Sequence, residues 1–537
     1  MRTGLFFAMR DILRIFAEDK LHSVMKYPIG IQDFEKLRRG GFLYVDKTAL
    51  IYQLTSNDGY YFLSRPRRFG KSLLVSTLEA YFTGKRDLFE GLAIEKLETE
   101  WATYPVLHLD LNAEKYAKPE DLDNILNDTL AQWEAVYGTE PTEVSFSLRF
   151  KGVLRRACEK TGRQAIILID EYDKPLLEAI GNKELTEDYR KTLSAFYSVM
   201  KLNDRYIKFG FLTGVTKFAK VSIFSGLNNL EDISMAKNYA DICGITETEL
   251  KDTFDESVKA LATENKLTED ECYAKLRQMY DGYHFHVNAE GVYNPFSLLR
   301  SFKSREFGSY WFETGTPTFL TKVISRTDYD LSNLPTAKVT ANDLGDIENI
   351  SRSPIPVLYQ AGYLTLKGYD ARFKRYLLGF PNEEVEHGFV EYLLPTFVRK
   401  TDTLDRSYIE NFVRDVEAGK PDDFLKRMQT MLSGNNYQVE GDKEVYFQNV
   451  MYVVFRLMGF FTHVERATSN GRIDLTIETP NYIYIIEIKR DASADKALQQ
   501  ILDKDYAAPF AHDPRRLFKI GVNYSSKTRR ITRWKMA

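Results

Sequence analysis

Short unbroken apolar runs alternate with stretches whose apolar residues recur at helical spacing. The runs are Tyr60-Tyr61-Phe62-Leu63, Val106-Leu107-His108-Leu109, Ala165-Ile166-Ile167-Leu168-Ile169 and Ile207 to Leu212. A continuous β-branched run of this kind predicts a strand buried on both faces of a parallel sheet. Between the runs, Leu74, Leu78 and Phe82 mark a helix from Lys71 to about Thr83, and residues 120–137 and 142–162 read as two more. Strands alternating with helices predict a doubly wound α/β domain over residues 25–235. Gly41 to Thr48 reads as a strand entering a helix, with Asp46 as its N-cap.

Residues 236–380 change to a mixed pattern, with helices at 247–263 and 268–281, and read as a helical lid or winged-helix-like region. Residues 381–435 predict a helical connector, being neither Gly/Ser- nor Pro-rich. Residues 436–537 form a separate α/β pattern. A helix opening at Glu444 is followed by strands at Gly471–Ile477 and Tyr482–Lys489, then a helix from Ala494 to Tyr506. At the other end, Ile12, Leu13, Ile15 and Phe16 mark residues 1–24 as an amphipathic extension, and either Met1 or Met25 is compatible with the start of translation.

The turn after the first run carries the first chemistry. Arg67-Arg68-Phe69-Gly70-Lys71-Ser72-Leu73 closes like a phosphate-binding loop, G-x-x-x-x-G-K-[ST]. Gly70 lets the backbone approach an anion, and the helix N-terminus beyond it favours negative charge. Lys71 is expected to reach the β- and γ-phosphates of ATP, and the Ser72 hydroxyl to hold Mg²⁺. The first glycine of the pattern falls at position 65, where this chain has Arg65.

Asp170 and Glu171 end the third run, at the edge where parallel sheets bind ligands. Asp170 is expected to hold Mg²⁺ and Glu171 to orient and deprotonate an attacking water. Thr213 and Thr216 close the fourth run; in ATPases of this layout a polar residue there senses the γ-phosphate. The run at 105–111, between the loop and the acidic pair, fits the ATPase class with a glutamate beside the Mg²⁺ aspartate. Lys217, Lys220 and Arg300 are candidate further cations for the site.

The C-terminal pattern carries a second constellation. Glu487 and Lys489 are two apart on a strand and share a face, and Asp474 lies on the preceding hairpin strand. Asp474 and Glu487 are expected to bind Mg²⁺ or Mn²⁺, with Lys489 beside an attacking water, which suits phosphodiester hydrolysis. From Arg515 to Lys535 there are eight basic residues and no acids, a local excess suited to phosphates or simply to solvent.

Composition adds bounds. The chain has 537 residues and a net charge of -3, so a nucleic-acid surface has to be local. Cys158, Cys243 and Cys272 have neither disulfide-framework nor metal spacing and fit a reducing cytoplasm. No apolar run approaches the roughly 18–20 residues of a membrane span, so no membrane partner is expected. His284 and His286 are expected to pack, because no further ligand type joins them.

Tyr44-Val45-Asp46-Lys47-Thr48, Ser64-Arg65-Pro66-Arg67-Arg68-Phe69-Gly70-Lys71-Ser72 and Asp170-Glu171-Tyr172-Asp173-Lys174-Pro175 resemble a bacterial AAA-ATPase-like family. The similarity extends through Thr213 to Phe218, Tyr280 to Phe285, Asn294 to Ser297 and Gly362 to Thr365. Arg65 is part of that family's pattern. The resemblance implies a P-loop NTPase fold and ATP binding. The order Glu444, Asp474, Glu487-Ile488-Lys489 resembles the PD-(D/E)XK nuclease superfamily, whose pattern implies roles for Glu444 and for Gln500 on the following helix. Together these imply an ATPase joined to a metal-dependent nuclease acting on DNA or RNA. The alternatives are an ATP-dependent switch whose C-terminal domain binds without cutting, and a protein remodeller. A homo-oligomer is compatible with this class and not required by it.

Overall fold

A computed structural model of the protein describes residues 25–112, 115–217, 229–313, 324, 329–345, 353–397, 407–433, 443–459, 463–469, 472–528 and 530–537. The expected helix at 1–24 lies outside the described residues. The chain forms two compact units. The first holds residues up to Trp311 with 345–348 and 360–366, and the second holds the remainder.

The first unit is built on five strands: β1 (Gly59–Ser64), β2 (Val106–Asp110), β3 (Ala165–Asp170), β4 (Ile207–Gly214) and β5 (Leu230–Asp232). Their order is β2-β3-β4-β1-β5, and every pairing is parallel. All six residues of β3 are buried, as its unbroken apolar run predicts. Each buried aliphatic side chain there contributes about 1.5–3 kcal/mol relative to exposure. Parallel neighbours need crossovers. The helices Lys71–Phe82, Pro119–Tyr137, Phe146–Thr161 and Lys183–Leu202 lie in them, and the Ser145 and Asn182 side chains cap the last two. The α/β parallel core of a P-loop fold is therefore present.

The segment Phe42–Val45, expected as a strand, joins no ladder among the described residues. Its Leu43 N–H bonds to Lys26 O at 2.9 Å, while Leu43 and Val45 pack against an apolar cluster. Side-chain burial holds it, and the run of apolar residues alone did not reveal that a strand partner is missing. The next helix, Thr48–Thr55, has Lys47 at the cap position, and Asp46 Oδ1 accepts from both Thr48 N and Thr48 Oγ1.

The cluster beneath that segment comes from the helices Glu247–Glu264, Glu269–Tyr280 and Pro295–Ser304. Thr246 with Glu249 and Thr268 with Glu271 form capping boxes on the first two. The third starts with Pro295, and Asn294 caps it. Leu250, Phe254, Leu276, Leu298 and Phe302 interlock in its core.

In the second unit, the helices Glu383–Phe397, Ser407–Glu417, Pro421–Ser433 and Lys443–Met458 accompany two sheets. The smaller has the order β6-β8-β7, from Lys338–Val339, Thr365–Asp370 and Arg375–Gly379 in chain sequence. The larger comprises β9 (His463–Ser469), β10 (Arg472–Glu478), β11 (Tyr482–Arg490), β12 (Arg516–Ser525) and β13 (Arg530–Met536), ordered β13-β12-β11-β10-β9. Only β11 and β12 are parallel, and the helix Ala494–Asp503 lies in their crossover. Leu498 and Ile501 of that helix pack on Ile485.

Candidate nucleotide and phosphodiester sites

The phosphate loop leaves β1 at Ser64 and turns back into the helix Lys71–Phe82. Gly70 takes the left-handed conformation at φ +90, and a β-carbon there would meet nothing within 4 Å, so the space above it is open. Arg67 and Arg68 are exposed, and the Arg68 guanidinium lies 5.0 Å from the Phe296 ring centre. Phe69 is buried, in edge contact with Tyr283 and Phe285 at ring-centre distances of 4.7 and 5.6 Å. The Trp311 indole N–H donates to Arg67 O at 3.2 Å. Aromatic residues far along the chain thus brace the loop.

Arg65 explains the missing glycine. Its side chain is fully buried and turns into the protein. It donates to Ser64 O at 2.9 Å, Ser234 O at 2.8 Å and Tyr239 O at 2.9 Å, and its guanidinium lies 3.9 Å from the Phe285 ring centre. The loop is held from behind by a cation bonded to carbonyls.

Lys71 and Glu171 meet at the C-terminal edge of the sheet. Lys71 Nζ lies 3.4 Å from Glu171 Oε1 and donates to Pro66 O at 3.4 Å. Glu171 sits at φ 51, a left-handed conformation that costs about 1–3 kcal/mol for a residue with a side chain. Burial pushes Asp170 up to about 6, with the neighbouring Ser72 hydroxyl opposing the rise and the Glu171 charge adding to it. A buried carboxylate held above its ordinary range is short of positive charge.

Thr213 is fully buried on β4, opposite Leu63 of β1, and its hydroxyl has no hydrogen-bond partner among the described residues. Thr216 lies beyond the strand, and its hydroxyl donates to Asp173 Oδ2 at 2.5 Å. Asp173 also accepts from Val215 N at 3.1 Å and Thr216 N at 2.6 Å, and the Tyr172 hydroxyl donates to Thr216 O at 2.7 Å. Burial raises the Asp173 carboxyl above its usual range, and the Glu171 charge adds to it. Tyr172 and Asp173 therefore fasten the end of β4 to the acidic turn. Sequence reasoning noticed them only as part of a motif; the available signal was the unbroken Asp170 to Pro175 pattern.

The donor set fits a magnesium nucleotide. It offers an open glycine turn at a helix start, an ammonium, and a hydroxyl beside a carboxylate, all oxygen-type ligands or anion donors. Of the other candidate cations, Lys217 pairs with Asp232 at 2.8 Å and Arg300 lies 5.7 Å from the Tyr310 ring centre. Lys220 lies outside the described residues. His284 Nδ1 is 3.2 Å from Ala289 O, and His286 Nδ1 accepts from Asn288 N at 3.0 Å, so both rings serve local turns.

In the larger sheet of the second unit, Asp474 of β10 is directly opposite Glu487 of β11, and Arg472 is opposite Lys489. Residues opposite one another share a face. Glu487 is buried, Lys489 is half-buried, and they lie on the Ile485 face that the helix Ala494–Asp503 covers. Gln500 on that helix is buried and donates to the Tyr506 hydroxyl at 3.3 Å. Gly521 is the neighbour of Glu487 on β12, and a β-carbon there would lie 2.3 Å from Ala494 O, so the helix rests directly on the sheet. Glu444 lies in the helix Lys443–Met458, and its side chain, like that of Asp474, lies outside what is described. Two adjacent acidic positions suit a hard divalent cation.

The basic tail is partly spent on internal pairs. Arg515 bridges Glu478 at 2.7 Å and Asp513 at 2.6 Å, and Lys535 pairs with Asp495. Arg530 and Arg533 are exposed on β13, and Arg529 lies outside the described residues. No helix among the described residues is long and apolar enough to cross a membrane.

Comparison with known proteins agrees with the expected pair of domains. A family model described as predicted AAA-ATPase matches residues 28–224, and one for the PD-(D/E)XK nuclease superfamily matches residues 442–534. The chain is 35% identical over 527 residues to a protein of Azotobacter chroococcum mcd 1 named for its place in the vnfD 5' region and described as uncharacterized. That alignment covers 94% of this chain and 98% of the relative.

Proposed function

From the premise that this chain belongs to the predicted AAA-ATPase family and carries a PD-(D/E)XK nuclease superfamily domain, we propose that it hydrolyses ATP and couples this to metal-dependent cleavage of DNA or RNA. The observation that carries the ATPase half is the meeting of Lys71, Ser72, Asp170 and Glu171 at one sheet edge, with Lys71 Nζ 3.4 Å from Glu171 Oε1. Lys71 exchanges Glu171 for the β- and γ-phosphate oxygens. The backbone N–H groups after Gly70 hold the same phosphates, and the exposed Arg67 and Arg68 add positive charge. Ser72 and Asp170 would hold Mg²⁺, which when bound neutralises charge on the phosphates and orients them. Glu171 then orients a water and takes its proton. Thr213 supplies a hydroxyl between the two motifs.

In the second unit, Asp474 and Glu487 would hold Mg²⁺ or Mn²⁺, which supplies an activated water and stabilises charge on the scissile phosphate. Lys489 orients that water, while Gln500 and Glu444 complete the polar surroundings. The setting is the cytoplasm, in keeping with three unpaired thiols at Cys158, Cys243 and Cys272.

One assay tests this reading: ATP hydrolysis and cleavage of mixed DNA and RNA with Mg²⁺ or Mn²⁺, for wild type, Lys71→Ala and Lys489→Ala. The expected result is loss of hydrolysis in Lys71→Ala with altered cleavage, and loss of cleavage in Lys489→Ala with hydrolysis retained. Hydrolysis without any wild-type cleavage would retire the nuclease half and leave an ATP-dependent switch or remodeller. Unchanged hydrolysis in Lys71→Ala would retire the ATPase half.

A further inference from the structure

The hairpin joining β7 (Thr365–Asp370) to β8 (Arg375–Gly379) turns its aromatic and basic groups outward. Phe373 in the turn is 62% exposed and Tyr369 at the end of β7 is 44% exposed. The Tyr369 ring centre lies 4.9 Å from that of the half-buried Tyr376, and the Arg372 guanidinium lies 5.1 Å from the Phe373 ring centre. Aromatic groups gathered at one exposed tip, unlike singly scattered ones, mark a contact surface. Between Thr365 and Phe380 the chain has four basic residues and one acid. The acid, Asp370, serves the turn: its Oδ1 accepts from Arg372 N at 3.0 Å and Phe373 N at 3.1 Å. Lys367 donates to Pro381 O at 3.1 Å. Arg372, Lys374 and Arg375 are exposed, and no carboxylate pairs with them among the described residues.

We propose that this hairpin tip is a stacking platform for single-stranded nucleic acid, with Phe373 and Tyr369 receiving bases and Arg372, Lys374 and Arg375 receiving phosphates. The proposal rests on the reading that the second unit acts on nucleic acid, to which the hairpin belongs from Lys367 onward. Three features support it. Exposed rings offer flat faces that any unpaired base can cover, whatever its identity. The unpaired cations interleave with those rings at the spacing of neighbouring residues, so one short stretch meets both bases and backbone. A duplex hides its base faces, which makes a strand with open bases the fitting form. A lipid surface fits less well, because the turn offers it a single phenylalanine for burial while the tyrosines pair with each other at the side.

The base of the hairpin is fixed within the second unit. Leu378 is buried, and its N–H donates to Ala337 O at 2.9 Å. A few residues earlier, Leu331 N donates to Asn449 Oδ1 at 2.8 Å, and the Asn449 amide donates back to Tyr329 O at 2.9 Å. Asn449 lies on the helix Lys443–Met458, which leads into the sheet of Asp474 and Glu487. A strand stacked on the tip is therefore held by the same unit that carries the acidic pair.

The test is fluorescence anisotropy on the full chain in EDTA, so that binding is read without cleavage. The probes are labelled single-stranded DNA and RNA of about 20 nucleotides and the matching duplexes, with phosphatidylserine vesicles as a separate probe. The proteins are wild type, Phe373→Ala, Phe373→Trp and the double variant Arg372→Gln with Arg375→Gln. All three positions are exposed, so the fold is expected to tolerate each change. Wild type is expected to bind a single strand more tightly than its duplex. Phe373→Ala is expected to weaken single-strand binding about tenfold, with Phe373→Trp restoring it. The double variant is expected to flatten the dependence of log affinity on log salt by about 1. Unchanged single-strand affinity in Phe373→Ala overturns the platform, as does a duplex bound as tightly as the strand. Vesicle binding that depends on Phe373 while strand binding does not overturns it in favour of a lipid surface. Cleavage measured beside binding separates the two readings. Cleavage with no effect of any hairpin variant removes the platform and leaves the nuclease. Strand binding through Phe373 without cleavage removes the nuclease and leaves the platform. If wild type neither binds nor cleaves any nucleic acid, both fail.

Discussion

Lys71 Nζ lies 3.4 Å from Glu171 Oε1, with the lysine only 4% exposed and the glutamate 18%. The two groups expected to serve the γ-phosphate and the attacking water thus face each other at the sheet edge. This contact predicts distinct outcomes for the two positions. In Glu171→Gln, Lys71 keeps its charge and its route to the phosphates, so ATP binding persists. The amide cannot take a proton, and turnover falls about 10²–10⁴-fold. Binding calorimetry beside phosphate-release kinetics measures both, and retained turnover would remove Glu171 from the chemistry.

Arg65 predicts a stability effect and not a catalytic one. Its guanidinium satisfies carbonyls of Ser64, Ser234 and Tyr239 behind the phosphate loop. Arg65→Ala leaves those acceptors buried and opens a cavity against Phe285, which costs about 2–4 kcal/mol. Arg65→Lys recovers only part, because one ammonium does not reproduce the planar fork. The urea midpoint of the first unfolding transition reads the difference; equal midpoints for Arg65→Ala and wild type would contradict the assigned role.

His108 on β2 predicts a pH dependence. Its Nδ1 lies 2.9 Å from Glu79 Oε2 on the helix after the phosphate loop. Burial disfavours charge on the ring, but the Glu79 bond and its charge outweigh this, so the His108 pKa is raised and the Glu79 pKa lowered. A raised histidine stabilises the fold fully below its unfolded pKa, and that contribution is lost as pH rises through the folded value. The difference in melting temperature between wild type and His108→Gln is therefore expected to be larger near pH 6 than near pH 8.5. A difference independent of pH would show that the pair carries no charge.

Gly521 predicts how tightly the second unit is built. A β-carbon there would lie 2.3 Å from Ala494 O and 2.4 Å from Leu498 N, both backbone atoms that cannot swing aside. Gly521→Ala must push the helix Ala494–Asp503, with Gln500, away from β12. The expected cost is about 1–3 kcal/mol, together with loss of any cleavage that depends on Glu487. Thermal unfolding and the nuclease assay on the same variant check both, and an unshifted melting temperature would show that the close approach is absent.

The sequence by itself determined the strands β1 to β4, β10 and β11, the helices that follow the phosphate loop and β11, and the two acidic motifs. Unbroken apolar runs become β1, β3 and β4 because a strand buried on both faces needs no polar alternation. Gly70, Lys71 and Ser72, and likewise Asp170 and Glu171, were legible because each motif is local. The spacing of Glu487 and Lys489 fixed a shared strand face, since the strand period is two. Tertiary structure decided what depends on partners distant in sequence. It inserted β4 between β1 and β3, bringing Thr213 beside the strands that carry both motifs. Arg65 became a brace because Ser234 and Tyr239 offered it carbonyls, and Asp173 became a fastener because Val215 and Thr216 turned their N–H groups to it. Phe42–Val45 stayed out of the sheet because burial against a remote cluster held it while no ladder was at hand. Periodicity reports which face of a segment is apolar, but it carries no address for the group that will cover that face.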